Sequence, residues 1–253
     1  MADATEARIA LMNTKIRKIQ ISMRLLIWSV VPILLLTLGL AWIFYPEPYE
    51  FITEFISNLG NYDSYHDNLD NSISVIIMTV GFITTGFASL IVSILYFIRP
   101  GMRIKVIKFQ NSKVKILKSE PGLLYAYLKG FLYLLMCIGA MGIAVPADHA
   151  TLKIFHLIGA VMFIFSFGLV NFVHQLLRFT RKHNLRFEKK KWDFYFDTVI
   201  VSIVLSVMVI LGIAYAVNKL AGITHPAIMA PLWQKILLIV NLVAVFALDI
   251  DDI

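Results

Sequence analysis

The run Ser72-Ile-Ser-Val-Ile-Ile-Met-Thr-Val-Gly-Phe-Ile-Thr-Thr-Gly-Phe-Ala-Ser-Leu-Ile-Val-Ser-Ile-Leu-Tyr-Phe-Ile98 contains no charged residue. A helix needs roughly 20 apolar residues to cross about 30 Å of hydrocarbon, and this run exceeds that. It lacks the period-2 alternation of a barrel strand, so a helix is the spanning element it fits. Asn71, Ser74, Met78, Gly81, Thr85 and Ala88 recur along it at spacings of three and four. That small, polar face predicts contact with other helices, while Ile, Val, Leu and Phe on the opposite face suit lipid.

Five further runs share this character: Leu25–Tyr45, Leu123–Val145, Ile154–Leu177, Thr198–Asn218 and Ile228–Leu248. The third span carries Lys129, the fourth His156 and His174, and the sixth Lys235, which makes the sixth the weakest of the set. The whole chain is 59% hydrophobic and 15% charged, with a mean hydropathy of +0.78. That leaves too little charge to cover a soluble surface. The expected fold is all-α: a polytopic membrane protein with six transmembrane helices in one bundle over residues 25–253. Residues 1–24 are expected to form a cytoplasmic amphipathic segment lying on the membrane surface. Leu25–Tyr45 is too long for a signal-peptide core and no small-residue cleavage site follows it. A single cysteine, Cys137, excludes a disulfide within the chain and a cysteine-based metal site.

The loops around these runs alternate in charge. Pro46–Asn71 holds Glu47, Glu50, Glu54, Asp63, Asp67 and Asp70 with no Lys or Arg. The N-terminal segment and the loops after spans two and four hold 19 of the 23 basic residues. By the positive-inside rule both termini lie in the cytoplasm and the acidic loop outside. A plasma-membrane location is the expectation. The net charge of +7 does not point to nucleic acid, because the basic residues are juxtamembrane, where anionic headgroups account for them. Membrane lipids are therefore the expected partners. Glu188-Lys-Lys-Lys-Trp192 reads as an interfacial anchor, and Arg103–Leu117 as a cytoplasmic hairpin turning at Asn111-Ser112 or a plain interfacial segment.

Polar residues at membrane depth need a reason, since they are costly there. Lys129 is expected to snorkel to the headgroups, with an ion pair to Asp197 as the alternative. Thr198, Ser202 and Ser206 form a small-xxx-small ladder that reads as helix packing. On the outer side, His66, Asp70, His149 and His156 could hold zinc and activate a water against a lipid ester or amide. The bland alternative is that they knit the outer loop to the helix ends. No tight ligand spacing, Gly-x-Ser-x-Gly elbow or phosphate-binding glycine pattern is present. No cofactor is expected, with zinc as the alternative.

The string Phe55-Ile-Ser-Asn-Leu-Gly60 resembles the I-S-D-L-G signature of a six-span group of DRAM-like autophagy modulators, lipid-anchor remodelling relatives and a prokaryotic branch. Gly142-Ile-Ala-Val-Pro-Ala-Asp148, followed by His156, is similar to that group's G-x-x-P-x-D…H stretch, and Asn71 opens span two where the group often has Asn. Asn58 stands in place of the usual Asp, and Gln234 where a Glu is often found. The resemblance implies a lipid-associated or lipid-modulating membrane protein, its outer-leaflet pocket built by Ser57, Asn58, Gly60, Asn71, Asp148 and His156. The string Ile56–Gly60 is expected to fold back on Asn71 and His156. Glu54-Phe-Ile-Ser-Asn58 is also similar to a stretch of alkaline ceramidases, seven-span zinc amidases, but six spans are counted here and the last lacks His-x-x-x-His. A transporter or channel subunit is the third reading.

Overall fold

The computed structural model of the chain describes residues 2–110, 121–148, 150–184 and 191–246, and for some residues within these helices only the backbone. Six helices follow one another: α1 (Ala2–Ile43), α2 (Ser72–Gln110), α3 (Pro121–Ile143), α4 (Ala150–Asn184), α5 (Lys191–Leu220) and α6 (Ala230–Phe246). Single 3₁₀ turns at Ile56–Gly60 and Pro226–Ile228 interrupt two of the connections. The chain is all-helical among the described residues. Five helices, α1 to α5, are long and apolar enough to cross a membrane, while α6 is a shorter apolar helix. Large apolar side chains cover their outward faces, among them Leu36, Ile76, Phe155 and Ile213. A protein in water would bury such residues; a lipid-facing surface keeps them.

The helices run antiparallel in sequence order. One end of the bundle gathers the acidic loop, the α3–α4 turn and the α5–α6 turn, and is called the acidic end below. The six-residue face of α2 is buried throughout. Its Gly81 meets Thr37 of α1 so closely that a Cβ there would overlap the threonine side chain. At the α3–α4 crossing the backbones touch: a Cβ on Gly159 would lie 2.5 Å from the Cα of Gly142. Glycines here set the helix separation, as small residues do in lipid.

Several expectations are corrected. Residue 24 is no boundary, because α1 runs through it without a break and Met23 and Ile27 pack in the main core. The first arm of the proposed hairpin, Lys105–Phe109, is helical, as α2 continues to Gln110 past Pro100. Alternation over five residues also satisfies a helix when no breaker intervenes, and Met102–Gln110 contains neither Gly nor Pro. Asn111-Ser112 lies outside the described residues, as do Glu188–Lys190 and the side chain of Trp192. In the α5 ladder Ser202 and Ser206 are exposed, and the packed face of that helix is Val204, Val207, Met208, Leu211 and Ala214.

Candidate functional site at the acidic end

The acidic loop folds into a compact cap, and its carboxylates divide into buried and solvated groups. Glu47 and Glu54 are buried, contrary to the uniform solvation that a charged loop suggests. Glu47 accepts from the backbone amides of His66 and Asp67, each at 2.9 Å, so it closes the tip of the Tyr62–Asn71 turn. That turn is held by Ser64 N to Leu69 O (2.9 Å) and Asn71 N to Tyr62 O (2.7 Å). Asn68 turns the chain at φ 50°, a left-handed conformation that Asn tolerates better than most side chains. Burial pushes the Glu47 carboxyl up, but hydrogen bonds from the His66 and Asp67 amides and the Ser64 and Tyr45 hydroxyls together hold the group below its ordinary range.

Glu54 is fully buried, and its carboxylate accepts from Glu50 N at 2.8 Å. His66 Nε2 lies 3.5 Å from the same oxygen, with the imidazole half open to solvent. The Tyr45 hydroxyl accepts from Tyr65 N at 2.9 Å and has one proton to give. Glu47 at 3.3 Å and Glu54 at 3.4 Å both compete for it. The main-chain oxygen of Glu54 uses both lone pairs, accepting from the Tyr49 hydroxyl at 3.1 Å and from Lys235 Nζ of α6. Lys235 Nζ also lies 5.1 Å from the Tyr49 ring centroid and 4.9 Å from that of Phe51. The cation is thus boxed by two aromatic faces and a carbonyl. One residue earlier, Gln234 accepts from Ile56 N at 3.1 Å. Two consecutive residues of α6 therefore fasten the cap.

Beneath the Ile56–Gly60 turn lies a cavity of about 30 Å³. Leu34, Leu38, Met78, Phe82, Phe163 and Leu238 form its apolar wall, and Ser57 and Gln234 are its two polar contributors. Of the six expected pocket residues, only Ser57 lines it. Asn71 does meet the turn: its amide donates to Leu59 O (3.1 Å) and Asn61 O (2.8 Å). Ser74 donates to the same Leu59 carbonyl at 2.6 Å. Asp148 accepts from Tyr62 N at 2.6 Å, joining the α3–α4 turn to the cap. His156 is bonded to the Val145 carbonyl at 2.7 Å rather than to the turn. Gly60 lies against Met78, and Asn58 joins the turn through its backbone. These residues knit the cap to the helix ends.

Among the described residues no group of three or more His, Cys, Asp or Glu side chains stands close enough to share a metal ion. His66 is committed to Glu54 and His156 to a carbonyl. Asp70 caps the first turn of α2 through Ser72, and His149 lies outside the described residues. The described donors do not fit a zinc site.

A further buried polar group joins α2, α3 and α4. Lys129 does not snorkel: it is 2% exposed, with Nζ 3.3 Å from His174 Nδ1 and 5.6 Å from the Tyr96 ring centroid. The side chain of Asp197 lies outside the described residues.

The sequence reading missed Glu54, Lys235 and the pairing of Lys129 with His174. The signal was present. Glu54 is flanked by Phe51, Ile52, Phe55 and Ile56, and both lysines are lone cations inside apolar runs. Such placements call for a buried partner.

No family model matches the chain, and neither a curated protein nor a solved structure matches it.

Proposed function

We propose that this chain is a six-span, lipid-associated membrane protein whose acidic loop is a fixed outer cap over an apolar seat for a lipid acyl chain. The single observation that carries the reading is the cavity: apolar walls drawn from five helices, two polar groups at one end, and a roof pinned to α6. Binding sites for apolar ligands combine such a wall with a few placed polar groups. Because the roof is fastened by Gln234 and Lys235, the chain enters from within the bilayer rather than through the cap. The cavity is small, about 30 Å³, and receives a chain end rather than a headgroup.

The sixth crossing is supported by burial of its polar groups. Gln234, Lys235 and Asn241 all face the protein, so α6 presents only apolar side chains to lipid. Its 17 residues extend about 25 Å, within a few ångströms of the hydrocarbon thickness, a mismatch that bilayers accommodate. The asymmetry of basic residues favours cytoplasmic termini and an extracytoplasmic cap.

Lipid retained by the purified protein after exhaustive detergent washing, measured by mass spectrometry, tests the reading. Wild type should retain lipid in near-stoichiometric amount, and Ala160→Phe, which fills the cavity, should lower it at least about fivefold. Equal retention by a folded A160F protein overturns the acyl-chain seat.

A further inference from the structure

We propose that Arg17, Arg24 and Trp28 of α1 form a binding site for an anionic glycerophospholipid of the inner leaflet. The claim rests on α1 crossing the bilayer with its N-terminus inside, and it uses no residue of the acyl-chain seat.

The unbroken course of α1 sets the depth of these residues. Its 42 residues extend about 63 Å, roughly twice the hydrocarbon thickness. Trp42 is exposed at the acidic end, where an interfacial aromatic belongs. Roughly 20 residues cross the hydrocarbon, so its inner edge falls near Ser22. Arg24 sits at that edge, and Arg17, two turns earlier, about 10 Å further out among the headgroups. A helix lying flat on the membrane would put both at one depth. Met23 and Ile27, buried in the core cluster on either side of Arg24, exclude that course.

Arg17, Ile21, Arg24 and Trp28 recur at spacings of four, three and four, which is one face of the helix. Arg17 and Ile21 are exposed, and Arg24 and Trp28 are half-buried. Trp28 packs against the core cluster, which fixes its ring, and the Arg24 guanidinium carbon lies 5.2 Å from the ring centroid. That contact engages the face of the guanidinium and none of its N–H donors. Among the described residues no protein group accepts from Arg24, and its Nε is shielded from water as well. A charged donor left so is costly. The helix from Ala7 to Ile43 holds no carboxylate that could serve it.

An arginine held by aromatic stacking presents its planar fork to a phosphate, which takes two parallel hydrogen bonds. Lipid phosphodiesters lie at the depth of Arg24. Snorkelling alone would leave the guanidinium among headgroups of every kind, whereas the stack on a packed tryptophan gives it one orientation. Arg17 selects the headgroup. The ammonium of a choline or ethanolamine headgroup, placed beyond the phosphate, meets a like charge there, and a glycerol headgroup does not. Leu25, which is exposed, and the Trp28 ring receive the start of an acyl chain.

The test is native mass spectrometry of the full chain in detergent with equimolar phosphatidylglycerol and phosphatidylcholine. Wild type should favour phosphatidylglycerol by at least about fivefold, the scale of one basic residue at a membrane surface. Arg24→Gln should bring the ratio close to one, and Arg17→Gln should lower it severalfold. Lys15→Gln, exposed on the opposite face, should leave the ratio unchanged. So should A160F, whose loss of retained lipid reports on the acyl-chain seat alone. Thermal melts establish that each variant is folded, and R17Q decides the matter if R24Q does not fold. Equal binding of the two lipids by wild type, an undiminished ratio in a folded R24Q or R17Q protein, or an equal loss in K15Q overturns the site. Displacement of the lipid by millimolar inorganic phosphate overturns the lipid as its ligand.

Discussion

The backbone amide of Ile56 donates to the side-chain oxygen of Gln234 at 3.1 Å, across 178 residues of sequence. This bond ties the turn above the cavity to the first turns of α6. With the neighbouring Lys235–Glu54 contact, it makes the cap and the last helix one mechanical unit.

Removing Gln234 therefore exposes how the cap is held. Gln234→Ala leaves a half-buried amide at Ile56 without its acceptor, a loss of about 1–3 kcal/mol. Hydrogen exchange at residues 54–60 should speed up by about 5- to 150-fold if the turn opens locally, with exchange in α3 unchanged. Unchanged exchange at the turn means the bond is not what holds it.

Lys235→Met asks more of the same junction. It keeps the length of the side chain and deletes the cation between Tyr49, Phe51 and the Glu54 carbonyl. Losing a hydrogen bond from a charged donor costs about 1.5–3 kcal/mol. Thermal unfolding in detergent should occur clearly below wild type. A melt equal to wild type contradicts the importance given to this cation.

Acid should loosen the cap before it unfolds the bundle. The Glu47 carboxyl is held below its ordinary range by two amides and two hydroxyls, so its contribution is complete above the unfolded-state pKa. That contribution is lost as pH falls through the lower folded-state value, below about 4.3. Amide exchange at His66 and Asp67, corrected for intrinsic rates, should rise in that range, and Glu47→Gln should flatten the dependence. An acid dependence that persists unchanged in Glu47→Gln contradicts the assignment to this carboxyl.

The α3–α4 crossing admits no side chain. Gly159→Ala places a Cβ against the backbone of Gly142 and should destabilise by about 1–3 kcal/mol at the least. Gly212→Ala on α5 has open space around it and should be neutral or stabilise by up to about 1 kcal/mol. Paired thermal melts check the contrast, and equal effects would contradict the crossing.

Much of the helical layout was legible because hydrophobic length and period are local properties. The α2 face from Asn71 to Ala88 is an example: its spacing alone gave its burial. What stayed hidden was long-range pairing. Glu54 and Lys235 each sit among apolar neighbours that call for a buried partner, but only the fold brings α6 under the loop and shows which partner each finds. Lys129 looked free to snorkel because its position near a span end allows that, whereas His174 and Tyr96 offer a buried alternative. Short alternation at Lys105–Phe109 misled for a different reason, since five residues fit a helix and a strand equally well. Ser57 was found through its motif, yet the cavity below it was not, because a void is shaped by residues from five separate helices.

The topology of the cap is the central claim, and one labelling experiment reaches it directly. Cys137 is buried, so a cysteine placed at Asp63 is the group a maleimide can reach. In intact cells, Asp63→Cys should react with a membrane-impermeant maleimide, and prior treatment from outside should block later labelling of lysed cells. Reaction only after lysis or in inverted vesicles places the acidic loop in the cytoplasm and contradicts the account.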